Sequence, residues 1–355
     1  MVALELADAL RALGHDNEIH AKALGADGAA MTELPALVAS ARLGARTYLR
    51  SIWRLRRLLA RQPADIVLAH GGAAALVVAM AAPAGTARVW QRILGFPGRR
   101  WAPVRRLPWR VVARRFHGVV ALTPELEAEV RALGYRGPAW VIPNARRPER
   151  FATVDRMAAA AALRARIGVG REVPLVGWVA HLVEQKHPEM AVEVVAEVRR
   201  RGLPAHLVMA GDGPRRASVE QRVAALGVGE AVTLLGHRDD PELVFGGVDL
   251  ALITSRAEGI PGVAIEAQMT GCPVVSVPVG GVRAVVEHGV SGVVLDRADV
   301  TSMAECVARL LGDPVSLAAM GVAARACGAD FTMERVASLY AASLAQVVTS
   351  PIRGV

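Results

Sequence analysis

From end to end of this chain, short apolar runs rich in Val, Ile and Leu alternate with longer stretches of helical pattern, and no other feature restricts the fold as strongly. That alternation is the signature of parallel sheets whose strands are joined by crossover helices. In the first half it predicts strands over 65–69, 87–91, 117–122 and 139–142, with helices over 2–13, 41–60, 72–82 and 124–133. Thr123 and Pro124 cap and open the last of these helices. In the second half, strands are expected over 174–180, 205–210, 231–235, 248–253 and 273–277. Between the halves lies VIPNARRPERF, a hinge stiffened by Pro143 and Pro148.

A length of 355 residues suits two domains. The expected architecture is α/β: two Rossmann-like domains facing a cleft, residues 1–146 and 147–331, with a C-terminal helix at about 332–350 packing back on the first. Doubly wound sheets bind ligands at their C-terminal strand ends, so both domains should direct loops there. Aromatic residues make up only 4% of the chain and Gly numbers 34, so the cores must be Ala, Val and Leu with helices closely packed on sheets.

Charge is unevenly spread. Residues 41–117 contain 16 Arg and one acid, Asp65, giving this segment about +15 within a chain of net charge +9. Arg interleaved with Trp53, Trp101, Trp109 and Leu suits a surface of anionic lipid, the preferred reading. Nucleic acid would also be attracted, but no recognition motif accompanies the charge, and a solvated Arg face is the bland alternative. The N-terminus carries Glu5 and Asp8 where a secretory signal would be basic and then apolar. The apolar run 66–82 contains His70 and a Gly pair and reads as strand, turn and helix, not as a membrane span. Cys272, Cys306 and Cys327 lack metal-ligand spacing and read as reduced thiols of a cytoplasmic protein.

The chemistry is concentrated in SRAEGIPGVAIEAQMTGCPVV, residues 255–275. A strand ends, Glu258 follows in a loop, GIPG turns, and a helix opens near Val263 with Glu266 expected in its first turn. Gly259 and Gly262 let backbone N–H groups approach a ligand, and a helix N-terminus favours phosphate. The two carboxylates are acceptors for sugar and ribose hydroxyls.

This pattern resembles the family 4 glycosyltransferases, retaining enzymes of the two-domain GT-B type, in which two Glu separated by seven residues precede a small residue, Gly and Pro-Val. Here those positions are Glu258, Glu266, Gly271, Pro273 and Val274. VGWVAHLVEQKHPE is similar to the strand and loop ending in a phosphate-binding Lys, which is Lys186. AGDGP matches a family turn, LLGHRDD the base-side loop with Gly236 and His237, and VGGVRAVVEHGVSGVVL the Gly-Gly loop (Gly280, Gly281) with its following helix. The resemblance implies that Glu258 holds donor-sugar hydroxyls, Glu266 holds the ribose, and Lys186 neutralises the departing diphosphate. It implies a UDP- or GDP-linked hexose as donor, no cofactor, no metal, and a lipid-linked, glycan or small-molecule acceptor. The expected location is cytoplasmic, with attachment to the inner face of the membrane.

Departures from the family pattern occur at three places. His181 stands where an Arg usually assists the Lys; Ala284 replaces an acid after the Gly-Gly loop; and Arg92 occupies the region of a usual acceptor-side His. His70, ending a strand before Gly71-Gly72, matches a position facing the substrate, the alternative being a buried His that caps the next helix. Met1 falls directly at an amphipathic helix, so the first domain is expected to lack its first strand and Gly-rich loop through a misassigned start or truncation. Two other readings compete: an impaired nucleotide-binding relative, and a sugar-nucleotide epimerase of the same architecture.

Overall fold

All nine expected strands form, each within two residues of its expected bounds, and every pairing between them is parallel. The computed structural model describes residues 2–16, 45–95 and 103–349. The chain separates into two compact units: the described residues up to Asn144 with those from Glu334 onward, and Ala145–Met333.

The first unit begins with α1 (Val2–Ala12), α2 (Ala45–Arg61), β1 (Ile66–His70) and α3 (Gly71–Ala81). It continues with β2 (Ala87–Arg92), α4 (Pro103–Arg114), β3 (Gly118–Ala121), α5 (Pro124–Ala132) and β4 (Ala139–Val141). Strand order is β1-β2-β3-β4 among the described residues, each step a strand–helix–strand crossover. Residues 41–44 of the expected second helix lie outside the described residues. Three of the scarce aromatics gather at one point. Trp90, fully buried on β2, stacks on Trp109 of α4 with centroids 5.7 Å apart and lies 5.8 Å from Phe116. Thr123 caps α5 by accepting from the Leu126 amide, as its sequence position predicts.

The second unit runs α6 (Pro148–Phe151), α7 (Arg156–Ile167), β5 (Leu175–Val179), α8 (Pro188–Arg200), β6 (His206–Ala210), α9 (Arg216–Ala225) and β7 (Val232–Gly236). Then follow α10 (Pro241–Gly247), β8 (Leu250–Ile253), α11 (Gly262–Met269), β9 (Val274–Ser276), β10 (Gly292–Val294), α12 (Val300–Leu311) and α13 (Pro314–Gly328). The last helix, α14 (Met333–Thr349), belongs to the first unit, where Val347 lies against Gly118. Strand order in the second sheet is β10-β9-β8-β5-β6-β7. The order reverses between β5 and β8, so the loops that leave these two strands diverge to opposite faces and open a crevice at their C-terminal ends.

One expected element differs. The residues after Gly280-Gly281 form only a 3-10 turn, Val282–Ala284, and then the short strand β10, not a helix. Arg283 is drawn toward Leu295 O and Asp296 and so ties the turn to the end of β10. Among the described residues, no single helix is long and apolar enough to cross a membrane.

Candidate functional site

The loop after β5 is shaped by the one after β6. Ala180 N donates to Ala210 O, and Leu182 N to Asp212 O at 3.0 Å, so the AGDGP turn backs the segment leading to Lys186. His181 lies exposed there, with Nδ1 3.3 Å from Asp212 O. In the tautomer assigned from that contact Nδ1 carries the proton, and Nε2 donates only when the ring is charged.

The loop from β5 is next clamped to the loop from β8. Buried Trp178 donates from Nε1 to Thr254 Oγ1 at 3.0 Å. That hydroxyl lies 2.9 Å from the carbonyl oxygens of both Lys186 and His187, which share its proton. Arg256 N donates to Gln185 O, and Gln185 Nε2 to Ala257 O. His187 sits at φ 48°, a left-handed conformation rare for a non-Gly residue, directly after Lys186. With the backbone fixed from both sides, Lys186 Nζ reaches Glu258 Oε1 at 2.5 Å. Ser255 Oγ donates to the same oxygen at 2.7 Å. The side chains of Lys186 and Glu258 are 24% and 10% exposed, so the pair is held yet reachable from solvent.

The Gly-Gly loop closes on this point. Gly281 N donates to Gly259 O at 2.5 Å. Gly280 has φ 47°, and a Cβ there would strike the carbonyl oxygens of Glu258 and Gly259. Glycine at 280 thus fixes the backbone that carries Glu258.

Glu266 corrects its expected position. Helix α11 opens at Gly262, one residue before Val263, so Glu266 starts the second turn, not the first. It pairs there with Arg146, Nε to Oε1 at 2.6 Å, each side chain 14% exposed. Sequence reading gave Arg146 no role beyond the hinge. Its backbone is anchored on both sides, N to Phe331 O and O to Met333 N. A Cβ on Gly262 would strike the Arg146 guanidinium, so glycine at 262 serves this ion pair as well as the helix start. The Pro261 cap contributes no side-chain bond, so the first N–H groups of α11 face the loop after β8 without a capping side chain.

Gly236, at φ 72°, ends β7 and accepts from Gly211 N at 2.7 Å. His237 beyond it is exposed and contacts Asp239 at 3.2 Å. In the first unit, burial lowers the pKa of His70, and a bond to Gln91 partly restores it. His70 is the N-cap residue of α3, and its side chain makes no cap hydrogen bond there. Arg92 is buried and committed to Glu129 at 2.9 Å.

The structure therefore brings Lys186, His181, Glu258, Gly259, Gly280 and Gly281 to one strand-end crevice, with Gly262, Val263 and Glu266 on the adjoining helix. A flexible cation, carboxylate acceptors and a bare helix N-terminus form a set that can hold a polyhydroxylated group joined to a phosphate-bearing one.

Comparisons with known proteins bear on the family and the fold. A family model described as "Glycosyl transferases group 1" matches residues 173–313, and one described as "Glycosyl transferase 4-like domain" matches residues 1–145. Among curated relatives, an alpha-D-kanosaminyltransferase of Streptomyces kanamyceticus is 34% identical over 47% of this chain and 43% of its own. A 2-deoxystreptamine glucosyltransferase of the same organism is 30% identical over 70% and 63%. A D-inositol 3-phosphate glycosyltransferase of Thermobispora bispora is 33% identical over 56% and 52%. The chain spans about half the length of the curated relatives it matches. Among solved structures, sucrose-phosphate synthase of Thermosynechococcus elongatus aligns with TM-score 0.79 at 20% identity, covering 97% of this chain and 92% of that one. An Anabaena protein in complex with UDP aligns with TM-score 0.72 at 20% identity, covering 85% and 82%. At such identities the structures establish a shared fold, which is the GT-B type.

Proposed function

The chain belongs to the GT-B glycosyltransferases of the family 4 type, and from that premise we propose that it moves a hexosyl group from a UDP- or GDP-sugar to an acceptor with retention of configuration. The observation that carries the reading is the Lys186–Glu258 pair at the β5/β8 reversal. Breaking the bond between sugar C1 and the diphosphate oxygen leaves growing negative charge on the diphosphate. Lys186 supplies a mobile counter-charge, and the N-terminus of α11 a fixed one. Glu258 accepts from donor-sugar hydroxyls, oriented by Ser255. Glu266, held by Arg146 through one oxygen, offers the other to the ribose. His181 assists the diphosphate when protonated. Gly236 and His237 line the base side, and His70 meets the acceptor, which is lipid-linked, glycan or small molecule. No metal or cofactor takes part.

The test is thermal shift against UDP-glucose, UDP-N-acetylglucosamine and GDP-mannose, followed by release of nucleoside diphosphate with and without acceptor. A donor that binds the folded state raises Tm by mass action. Acceptor-dependent release that survives EDTA supports a metal-free transferase. Conversion of the donor without acceptor would favour an epimerase, and binding without turnover an impaired relative.

Attachment to the inner face of the membrane is supported by α2. Leu49 and Trp53, 67% and 55% exposed, stand among exposed Arg50, Arg54, Arg57 and Arg61, with the Arg57 guanidinium 4.2 Å from the Trp53 ring centroid. Co-sedimentation with acidic but not neutral vesicles, released by salt, is the expected result. Equal binding to neutral vesicles would contradict it.

A further inference from the structure

A pocket of about 480 Å³ lies in the first unit where α4 and α5 end and the chain enters β3 and β4. It is therefore at the N-terminal strand ends, on the edge of the sheet opposite His70 and Arg92, which close β1 and β2. Arg110, Arg114 and Arg136 line it, with buried Phe116 and Tyr135 below. Arg110 and Arg114 are four residues apart on one helix face, and Arg136 approaches from the other loop.

What separates these three arginines from their neighbours is that they are uncommitted. Arg88 donates to the carbonyls of Ala82, Pro83 and Arg115; Arg92 binds Glu129; Arg115 donates to Ala79 O; and Arg131 binds Glu127 and Gly137 O. Among the described residues, Arg110, Arg114 and Arg136 have no hydrogen bond or ion pair. Three guanidinium groups around one concavity repel each other until an anion enters. Their planar donors match phosphoryl oxygens in pairs. The Tyr135 hydroxyl is already spent on Pro138 O at 3.0 Å, so the floor offers rings, not polar groups.

We propose that this pocket binds a phosphoryl-bearing anion, a phosphomonoester or diphosphate with an apolar or ring-shaped attachment, at a site separate from the crevice that carries Lys186. The proposal does not depend on the transferase reading.

Isothermal titration with sodium pyrophosphate, at constant ionic strength, tests it on the full chain. The proteins compared are wild type, Lys186→Ala, Arg136→Gln, and the triple variant Arg110→Gln, Arg114→Gln, Arg136→Gln. The expected result is a binding step that Lys186→Ala keeps, that Arg136→Gln weakens about tenfold, and that the triple variant loses. Unchanged far-UV circular dichroism in Arg136→Gln separates lost binding from lost folding. Vesicles of phosphatidic acid distinguish the source of the phosphate. Binding that the triple variant loses and pyrophosphate displaces identifies a lipid headgroup, and pyrophosphate binding without vesicle binding identifies a soluble anion. A triple variant that binds pyrophosphate as wild type does, or a wild type whose only step Lys186→Ala abolishes, would overturn the proposal. The arginines would then serve only the carbonyl ends of α4 and α5.

Discussion

Lys186 and Glu258 are 72 residues apart in the chain and 2.5 Å apart in the fold, joined because β5 and β8 are neighbours at the reversal of strand order. In this arrangement Glu258 holds the ammonium, and in the proposed function a diphosphate competes for it. Lys186→Ala should lower kcat by about 10²–10³ with a smaller effect on donor affinity, because the charge it meets grows toward the transition state. His181→Arg, which makes the nearby charge permanent, should tighten donor binding. Steady-state kinetics with the donor found by the panel checks both, and wild-type turnover in Lys186→Ala would remove Lys186 from the site.

Arg146 and Glu266 should behave as one unit toward the nucleotide. Glu266→Ala should weaken nucleotide binding, and Arg146→Ala should do so indirectly by freeing the carboxylate. The double variant should lose less than the sum, with a coupling of about 0.5–3 kcal/mol. Gly262→Ala should resemble Arg146→Ala, since the added methyl displaces the guanidinium. Strictly additive losses in titration would contradict the coupling.

Thr254→Val removes the hydroxyl that receives Trp178 and anchors the carbonyls beside Lys186. The indole N–H is then buried without a partner, and stability should fall by about 1–3 kcal/mol. Turnover should fall in folded protein as well, because the strained turn at His187 loses its clamp. Denaturant unfolding and kinetics at a temperature well below Tm separate the two effects. A variant as stable and active as wild type would show that the clamp is dispensable.

Much of this site could be read from the sequence, and the parts that could not share a cause. Strands were legible because each is a short apolar run bounded by turns, and Glu258, Glu266 and Lys186 stood in a spaced pattern. Arg146 was not legible: its partner lies 120 residues away and its sequence context is a proline-flanked hinge. Thr254 was missed because a hydroxyl at a strand end has no pattern of its own; only the pairing of β5 with β8 sets it beneath Lys186. The helix expected after Gly281 fails because Val285 and Val286 turn inward into the core and the chain is drawn into β10 beside β9. That third dimension is absent from a run of residues. The pocket arginines lay partly within the conspicuous basic segment, but their convergence with Arg136 appears only once α4 and α5 end side by side.

Burial lowers the pKa of His70, His117, His187 and His206, with Arg88, Arg256 and Arg199 adding to the effect on the last three respectively. A histidine depressed in the folded state binds fewer protons there than in the unfolded chain. Its contribution to stability is therefore intact above the ordinary value of about 6.5 and is lost as pH falls from there toward the folded pKa. Tm should decline between pH 7.5 and pH 5, and His206→Gln should flatten the decline. A Tm that is level or rises over that interval would contradict the assignment.

The central claim is that the crevice at the β5/β8 reversal holds the nucleotide diphosphate of a sugar donor. Isothermal titration of UDP and GDP into wild type, Glu266→Ala and Arg136→Gln tests it most directly. The account predicts saturable binding of one of the two nucleotides, with a step that Glu266→Ala weakens at least about tenfold and that persists in Arg136→Gln, whose only effect is on a separate step at the arginine pocket. Failure of both nucleotides to bind, or binding that Glu266→Ala leaves as tight as in wild type, would contradict it.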